Sequence, residues 1–437
     1  MQRNLTKGPI TINILLFALP LVFGNLLQQL YNIADTWVVG RFLGADALAA
    51  VGSSYTLMIF LTSILLGLCM GSGAAISMQY GSGEHAKMRQ NIFMSFLLIA
   101  GISLILNILV YIGMDFILWF LRVPANVRPL MKEYLEIIFL GITATFLYNY
   151  FANLLRAVGN SLIPLIFLAI SSIINVILDI VFVLVFHWGV QGAAGATTLS
   201  QYISGIGLTF YAIKKFPELR PKREECCWDK ANLFNILNLS VMTSLQQSIM
   251  NFGILMVQGL VNSFGTVIMA AFAAAVKIDS FAYMPVQDFG NAFSTYVAQN
   301  YGAREKKRIQ LGIRSAGLCS AIFCMIISFL VFLFACPLMQ IFISPKETAI
   351  IQAGMHYLHI EGACYIGIGI LFLLYGYYRA VNQPVMSVVL TIASLGTRVI
   401  LAYVLSATFL GVTGIWLSVP IGWALADIIG IAYYFKR

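Results

Sequence analysis

Six acidic side chains stand inside long apolar stretches: Asp35, Asp179, Asp279, Asp288, Glu361 and Asp427. A charge at membrane depth costs a few kcal/mol even on lenient insertion scales, so each asks for a partner or a task. Gln28, Asn32 and Asp35 lie seven and three residues apart, which puts all three on one helical face. Asn175 and Asp179, four apart, share a face as well. Carboxylate plus amide offers a hard cation several oxygen ligands, and a desolvated carboxylate equally holds a proton. The plainer alternative is a buried carboxyl that merely hydrogen-bonds a neighbouring helix. Pro20, fifteen residues before Asp35, removes a backbone hydrogen bond and leaves a kink. That kink is either static or a bend that follows the charge of Asp35. Further on, Lys277 and Asp279 point to nearly opposite faces, whereas Lys277 and Asp288 share a face about 16 Å apart along the axis. Cavity lining or pairing between lobes suits Lys277, Asp279 and Asp288; Asp427, near Lys436, reads as solvated and structural.

Helices long enough to cross a bilayer must carry these groups. Of 437 residues, 60% are apolar and 10% charged, against roughly 45–50% and a quarter in soluble domains. A mean hydropathy of +0.88 requires apolar character along the whole chain. Cytosolic enzymes, disulfide-stapled secreted domains and disordered proteins are excluded. Twelve apolar runs are long enough to span, at about 12–40, 47–78, 90–113, 129–152, 162–186, 191–213, 232–262, 266–298, 310–334, 350–375, 384–408 and 412–434. They are too continuous for outer-membrane strands. The expected fold is an all-α integral membrane protein. The run after Arg3 and Lys7 is too long for a signal peptide and reads as the first span. The seven cysteines have no zinc spacing, and His356 and His359 lack a third ligand. No phosphate-binding P-loop and no nucleophile–base pair stand out, so an enzyme is not expected.

The net charge of +9 is distributed as a topology signal rather than as a nucleic-acid surface. With the N-terminus inside, inside segments hold nineteen Lys and Arg, among them Lys87, Arg89, Arg156, Lys222, Arg308 and Arg437. Outside segments hold five: Arg41, Arg122, Arg128, Lys132 and Lys346. Lys277 and Arg398 fall within spans. Both termini are therefore expected in the cytoplasm.

The chain also resembles itself. Tyr80-Gly81 recurs as Tyr301-Gly302, Arg156-Ala157-Val158 as Arg379-Ala380-Val381, Gly189-Val190 as Gly411-Val412 and Gln28-Gln29 as Gln246-Gln247, all in order and at nearly one offset of about 220. Two six-span lobes follow, 1–213 and 232–437, joined by the charged loop 214–231. Even span numbers give both lobes the same orientation, so an axis along the membrane normal should relate them, with a central cavity between. The second lobe lacks the acidic site: Asn175 maps to Thr397 or Arg398, and Asp179 to Leu401 or Ala402.

The stretch from Pro20 to Gly40 (PLVFGNLLQQLYNIADTWVVG) resembles the first span of the multidrug and toxic compound extrusion (MATE) family. Arg156 to Asn160 (RAVGN) and Gln299 to Ala303 (QNYGA) are similar to its motifs after spans four and eight. The resemblance covers the whole chain. It implies a secondary antiporter that exports organic, cationic or amphipathic compounds in exchange for H⁺ or Na⁺ by alternating access. It places the cation or proton site on Asp35, Asn175 and Asp179, with Thr197 as a weaker match to a hydroxyl ligand because Thr198 is adjacent. It also puts Glu361 where some subgroups carry a second-lobe carboxylate, and the segment from Lys277 to Ala282 resembles one bacterial branch. The expected partners are small organic substrates, the coupling ion and membrane lipids, with no cofactor and no nucleic acid. The chain is expected to be a monomer in a bacterial inner membrane. A lipid-linked oligosaccharide flippase, of related architecture, is the alternative; it would need cationic groups where the first lobe is acidic. The charge distribution makes a direct prediction: cysteines placed at 84 and 222 should react only with cytoplasmic label and one at 187 only with external label, and the reverse at any position would break the span count.

Overall fold

The computed structural model of the protein describes residues 3–120 and 127–436; Arg122 and Arg437 of the charge distribution lie outside them. The chain begins with α1 (Ile10–Phe42), α2 (Ala45–Ser82), α3 (His85–Ile112), the short α4 (Met114–Phe120), α5 (Arg128–Leu140), α6 (Ile142–Ala157) and α7 (Leu162–Asp179). It continues with α8 (Gly189–Lys215), α9 (Lys230–Asn262), α10 (Thr266–Gly302) and α11 (Lys306–Phe342). The last four are α12 (Thr348–Gly362), α13 (Tyr365–Ala380), α14 (Pro384–Ser406) and α15 (Val412–Lys436).

Among the described residues, eight helical segments are individually long and apolar enough to cross a membrane. Two bent pairs, α5 with α6 (42°) and α12 with α13 (52°), bring the number to ten. The bends fall at Gly141 and at Ala363-Cys364, one repeat apart. Helices α8 and α9 have 27 and 33 residues, about 40 and 50 Å at 1.5 Å per residue, which also exceeds the bilayer core. Their hydroxyl and amide side chains lower their hydropathy. The total is the expected twelve.

The helices form two compact units. One comprises Met1–Asn4 and Leu19–Ser244, the other Leu5–Ala18 and Leu245–Arg437. This division departs from boundaries at 213 and 232: the loop and the start of α9 join the first unit, and the start of α1 joins the second. Close packing explains the α9 part. A Cβ on Gly67 would lie 2.3 Å from the Ser244 Cα, and one on Gly71 2.4 Å from the Leu239 carbonyl oxygen. Bare backbone at the Gly67-x-x-x-Gly71 step therefore lets α2 and α9 approach, and the Ser244 hydroxyl donates to the Ile64 carbonyl at 3.0 Å. Ala75, Met94, Ile236 and Leu239 bury a small apolar cluster beside this step.

The first unit's main core runs from Cys69, Ile76 and Met88 to Met131, Leu135, Phe139 and Leu155. In the second unit Phe272 stacks on Trp416 at 5.4 Å, with Tyr357 edge-on to both. The loop 214–231 is clamped to the start of α3. Arg89 Nε and one terminal nitrogen donate to the two Glu225 oxygens at 2.7 and 2.5 Å, and Gln90 Nε2 donates to the Cys227 carbonyl at 3.2 Å. The Arg89 guanidinium holds the Glu225 carboxyl down at about 2. A lowered value means the clamp is complete above the ordinary carboxylate range and is lost only as pH falls through about 2. The packing predicts that Gly71→Val costs about 3 kcal/mol of stability through overpacking. Gly101→Val, where a Cβ meets nothing within 4 Å, should melt as the parent; equal melting of both variants would contradict the close approach.

Candidate functional site

Polar residues recur at three- and four-residue spacing on two neighbouring helices of the first unit. On α7 they are Ser171, Ser172, Asn175 and Asp179; on α8 they are Thr197, Ser200, Gln201 and Ser204. Facing stripes let each helix satisfy the other: the Ser171 hydroxyl donates to the Ser200 carbonyl at 2.9 Å, and Asn175 Nδ2 to Thr197 Oγ1 at 3.3 Å. The adjacent Thr198 turns away and donates to the Ile137 carbonyl at 3.1 Å. Of the two threonines, Thr197 is thus the one joined to Asn175. Immediately after Asp179 the helix widens into a π-helical stretch, Ile180–Val185, closed by the Phe186 amide on the Val181 carbonyl at 2.9 Å. Such widened turns occur often at functional sites.

These stripes line a cavity of about 90 Å³, completed by Gln28 and Tyr31 of α1 and Thr145, Tyr148 and Asn149 of α6. Of its thirteen lining residues only Leu168 is apolar. That space is several times what one water needs. Asp35 and Asp179 lie beside it, 9% and 0% exposed. Asp35 acts electrostatically on Asp179, and the buried Tyr134 of α5 senses both carboxylates. Asp35 Oδ1, both Asp179 oxygens and Asn175 Oδ1 are buried and have no hydrogen-bond partner among the described residues. Four acceptor oxygens are gathered here with no donor bonded to them. Buried polar atoms ordinarily find partners, so this arrangement suits a proton or a small cation.

The structure brings Asp35, Asn175, Asp179 and Thr197 together and puts Gln28 on the cavity wall. Asn32 instead donates to the Tyr55 hydroxyl of α2 at 3.5 Å, so it does not share the working face with Gln28. Pro20 lies inside an uninterrupted α1, two residues past the end of the segment that belongs to the second unit. Sequence reasoning missed Tyr31, Tyr134, Tyr148 and the serines. The serine signal was present as spacing, because Ser171 precedes Asn175 by four and Gln201 follows Thr197 by four.

In the second unit Asp279 and Glu361 are buried, and Arg398, half-buried, acts electrostatically on both, with Tyr357 and Tyr365 beside them. The guanidinium near the position equivalent to Asn175 thus lies in the field of carboxylates from α10 and α12, though Arg398 Nε, Asp279 Oδ1 and Glu361 Oε1 have no hydrogen-bond partner among the described residues. Asp288 is buried nine residues beyond Asp279. Lys277 does not join this group; it is exposed, its Nζ 5.9 Å from the centre of the Phe342 ring. Asp427, expected in solvent, is only 7% exposed. A Cβ on Gly367 would come within 3.6 Å of its Oδ2, so α13 covers it.

Membrane-crossing helices in two repeats, with acceptor-rich polar groups buried inside one unit, are the architecture of a membrane transporter. The MatE family model matches residues 20–181 and again 240–404, once in each half. The chain belongs to this MATE family of transporters. It is 31% identical over 436 residues to the probable multidrug resistance protein YpnP of Bacillus subtilis, covering 99% of this chain and 96% of that protein. It is 24% identical to the FAD transporter of Shewanella oneidensis, over 99% and 96% of the two chains. A crystal structure of MATE in the bent conformation has the same fold, with a TM-score of 0.93 at 22% identity over 99% of this chain and 96% of the other. The second-unit cluster predicts that Arg398→Gln, which leaves two buried carboxylates facing each other, costs about 3 kcal/mol. Adding Asp279→Asn should recover part of that loss, and strictly additive melting shifts would show that the groups do not interact.

Proposed function

We propose that the protein exports organic, cationic or amphipathic compounds from the cytoplasm of a bacterium across its inner membrane. Entry of H⁺ or Na⁺ through the Asp35, Asn175, Asp179 and Thr197 site drives the export. The observation that carries this reading is the set of four buried acceptor oxygens without a donor. A proton on one carboxyl turns an acceptor into a donor; a sodium ion takes several oxygens at once. Two carboxylates that act on each other electrostatically can share one incoming charge. Loading removes a net negative charge from the interior of the first unit, and a two-state helix arrangement responds to such a change. The neutral cavity beside the carboxylates supplies hydroxyl and amide groups to a partly hydrated ion.

The buried carboxylates Asp35 and Asp179 of the first unit favour positively charged cargo, in keeping with the multidrug names of relatives such as YpnP. The flippase alternative needs a free cationic group for a lipid phosphate, and Arg398 already faces two carboxylates. The charge distribution supports termini in the cytoplasm.

Inverted vesicles with pH and Na⁺ gradients imposed separately test the coupling. Asp35→Asn and Asp179→Asn should each abolish gradient-driven transport of a cationic dye while the protein stays folded, because Asn keeps size and hydrogen bonding. Thr197→Val should weaken ion dependence about tenfold, the equivalent of one hydrogen bond to a charged group, and Thr198→Val should not. Full transport by either Asp variant under an intact gradient would defeat the assignment.

A further inference from the structure

The QNYGA motif has a task in the structure that transport chemistry does not explain. Leu5 is fully buried in the second unit. Its amide donates to Gln299 Oε1 at 3.2 Å, and its carbonyl accepts from Asn300 Nδ2 at 3.2 Å and from an Arg308 terminal nitrogen at 3.4 Å. The same Arg308 nitrogen donates to the Gly8 carbonyl at 3.1 Å, while Arg308 Nε donates to Asn300 Oδ1 at 3.2 Å. At the second residue of α1, Thr11 and Ser315 share a hydroxyl hydrogen bond of 2.7 Å. Gln299 and Asn300 are themselves fully buried. The grip is on backbone, so it fixes the position of the chain just before α1 rather than any one side chain.

A second grip also uses an arginine, here on a side-chain carboxylate. Arg89, near the start of α3, holds Glu225 in the segment before α9 within the first unit. Helices α3 and α11 are repeat equivalents, as are α1 and α9. Only α1 and α9 are divided between units, α1 between Ala18 and Leu19 and α9 between Ser244 and Leu245. Each divided helix therefore has the segment before it held by an arginine near the start of a repeat-equivalent helix, α1 by Arg308 of α11 and α9 by Arg89 of α3. A helix transmits displacement only if its start is fixed; otherwise its first turns fray and absorb the movement.

We propose that Arg308, with Gln299 and Asn300, is the anchor of α1 in the second unit, the fixed point through which a charge change at Asp35 reaches that unit. Arg89 and Glu225 anchor α9 in the first unit in the same way. Both are positioning roles, and the inference rests on the proposed coupling at Asp35.

The experiment uses the full-length protein in liposomes, with one fluorophore in each unit, H⁺ and Na⁺ pulses, and gradient-driven dye export. The variants are Arg308→Ala, Arg308→Lys and a truncation lacking residues 1–8, which leaves α10 and α11 untouched. In Arg308→Ala and the truncation, the first-unit response should keep its apparent ion affinity. The second-unit response and export should fall about tenfold, as expected from losing a charge-assisted hydrogen bond. Arg308→Lys should restore part of both. Unchanged second-unit response and export in folded variants would overturn the anchor. So would simultaneous loss of the first-unit affinity, or unfolding of both the Ala variant and the truncation, since each marks a merely structural grip. A wild type whose first unit answers neither ion defeats the coupling reading itself, a result distinct from any of these.

Discussion

Inside a bilayer there is no water to complete an unmet hydrogen bond, and this constraint orders the molecule. Backbone groups meet it by helix formation, which is why twelve helical crossings carry the chain. Side chains meet it by pairing, as Ser171 does with the Ser200 carbonyl. At Asp35, Asn175 and Asp179 the pairing stops short, and four acceptor oxygens are buried with no donor among the described residues. A proton or cation is the cheapest way to complete such a set, because neither requires the helices to repack. On the proposed coupling, the neutral cavity alongside, with one apolar residue among thirteen, would let an ion exchange water for hydroxyls by degrees instead of in one costly step.

The two halves share ancestry and bends but handle the same constraint differently. Near the repeat equivalent of Asn175 stands Arg398, a guanidinium that does not leave. It faces Asp279 and Glu361, which come from α10 and α12 rather than from the helix equivalent to α7. Its fixed positive charge acts on both carboxylates electrostatically, while Asp279 Oδ1, Glu361 Oε1 and Arg398 Nε have no hydrogen-bond partner among the described residues. On the proposed coupling, the first unit is the one that senses ions.

Span number, helix class, the duplication and the acidic face of α7 were legible in sequence because each is a matter of spacing along one helix. The 3.6-residue period places Asn175 and Asp179 together whatever else the fold does. What spacing could not supply was partnership across helices. It could not choose Thr197 over Thr198, which differ only in whether they face Asn175 or the Ile137 carbonyl. It put Asn32 with Gln28, whereas the side chain turns to Tyr55. Asp427 looked solvated by its distance from the C-terminus, but α13 covers it with a glycine at the contact. Tyr134 follows Glu133 in a charged stretch of sequence, and nothing in that spacing ties it to Asp35 and Asp179, whose charges act on it in the fold.

The boundary between units was the least legible feature, and its cause is physical. A linker is recognised by charge and length, and 214–231 has both. Compactness, however, is decided by packing, and bare glycine backbone at Gly67 and Gly71 draws the start of α9 into the first unit. The start of α1 goes the other way, held through Leu5 and Gly8 by Gln299, Asn300 and Arg308. Each half thus gives the first turns of its first helix to the unit formed mainly by the other. In α1 the division comes just before Pro20, where the helix lacks a backbone hydrogen bond and bends at least cost. The proline is therefore where a hinge is mechanically useful, between the anchored turns and the turns that carry Asp35. A kink in the middle of either part would merely loosen that part's own packing.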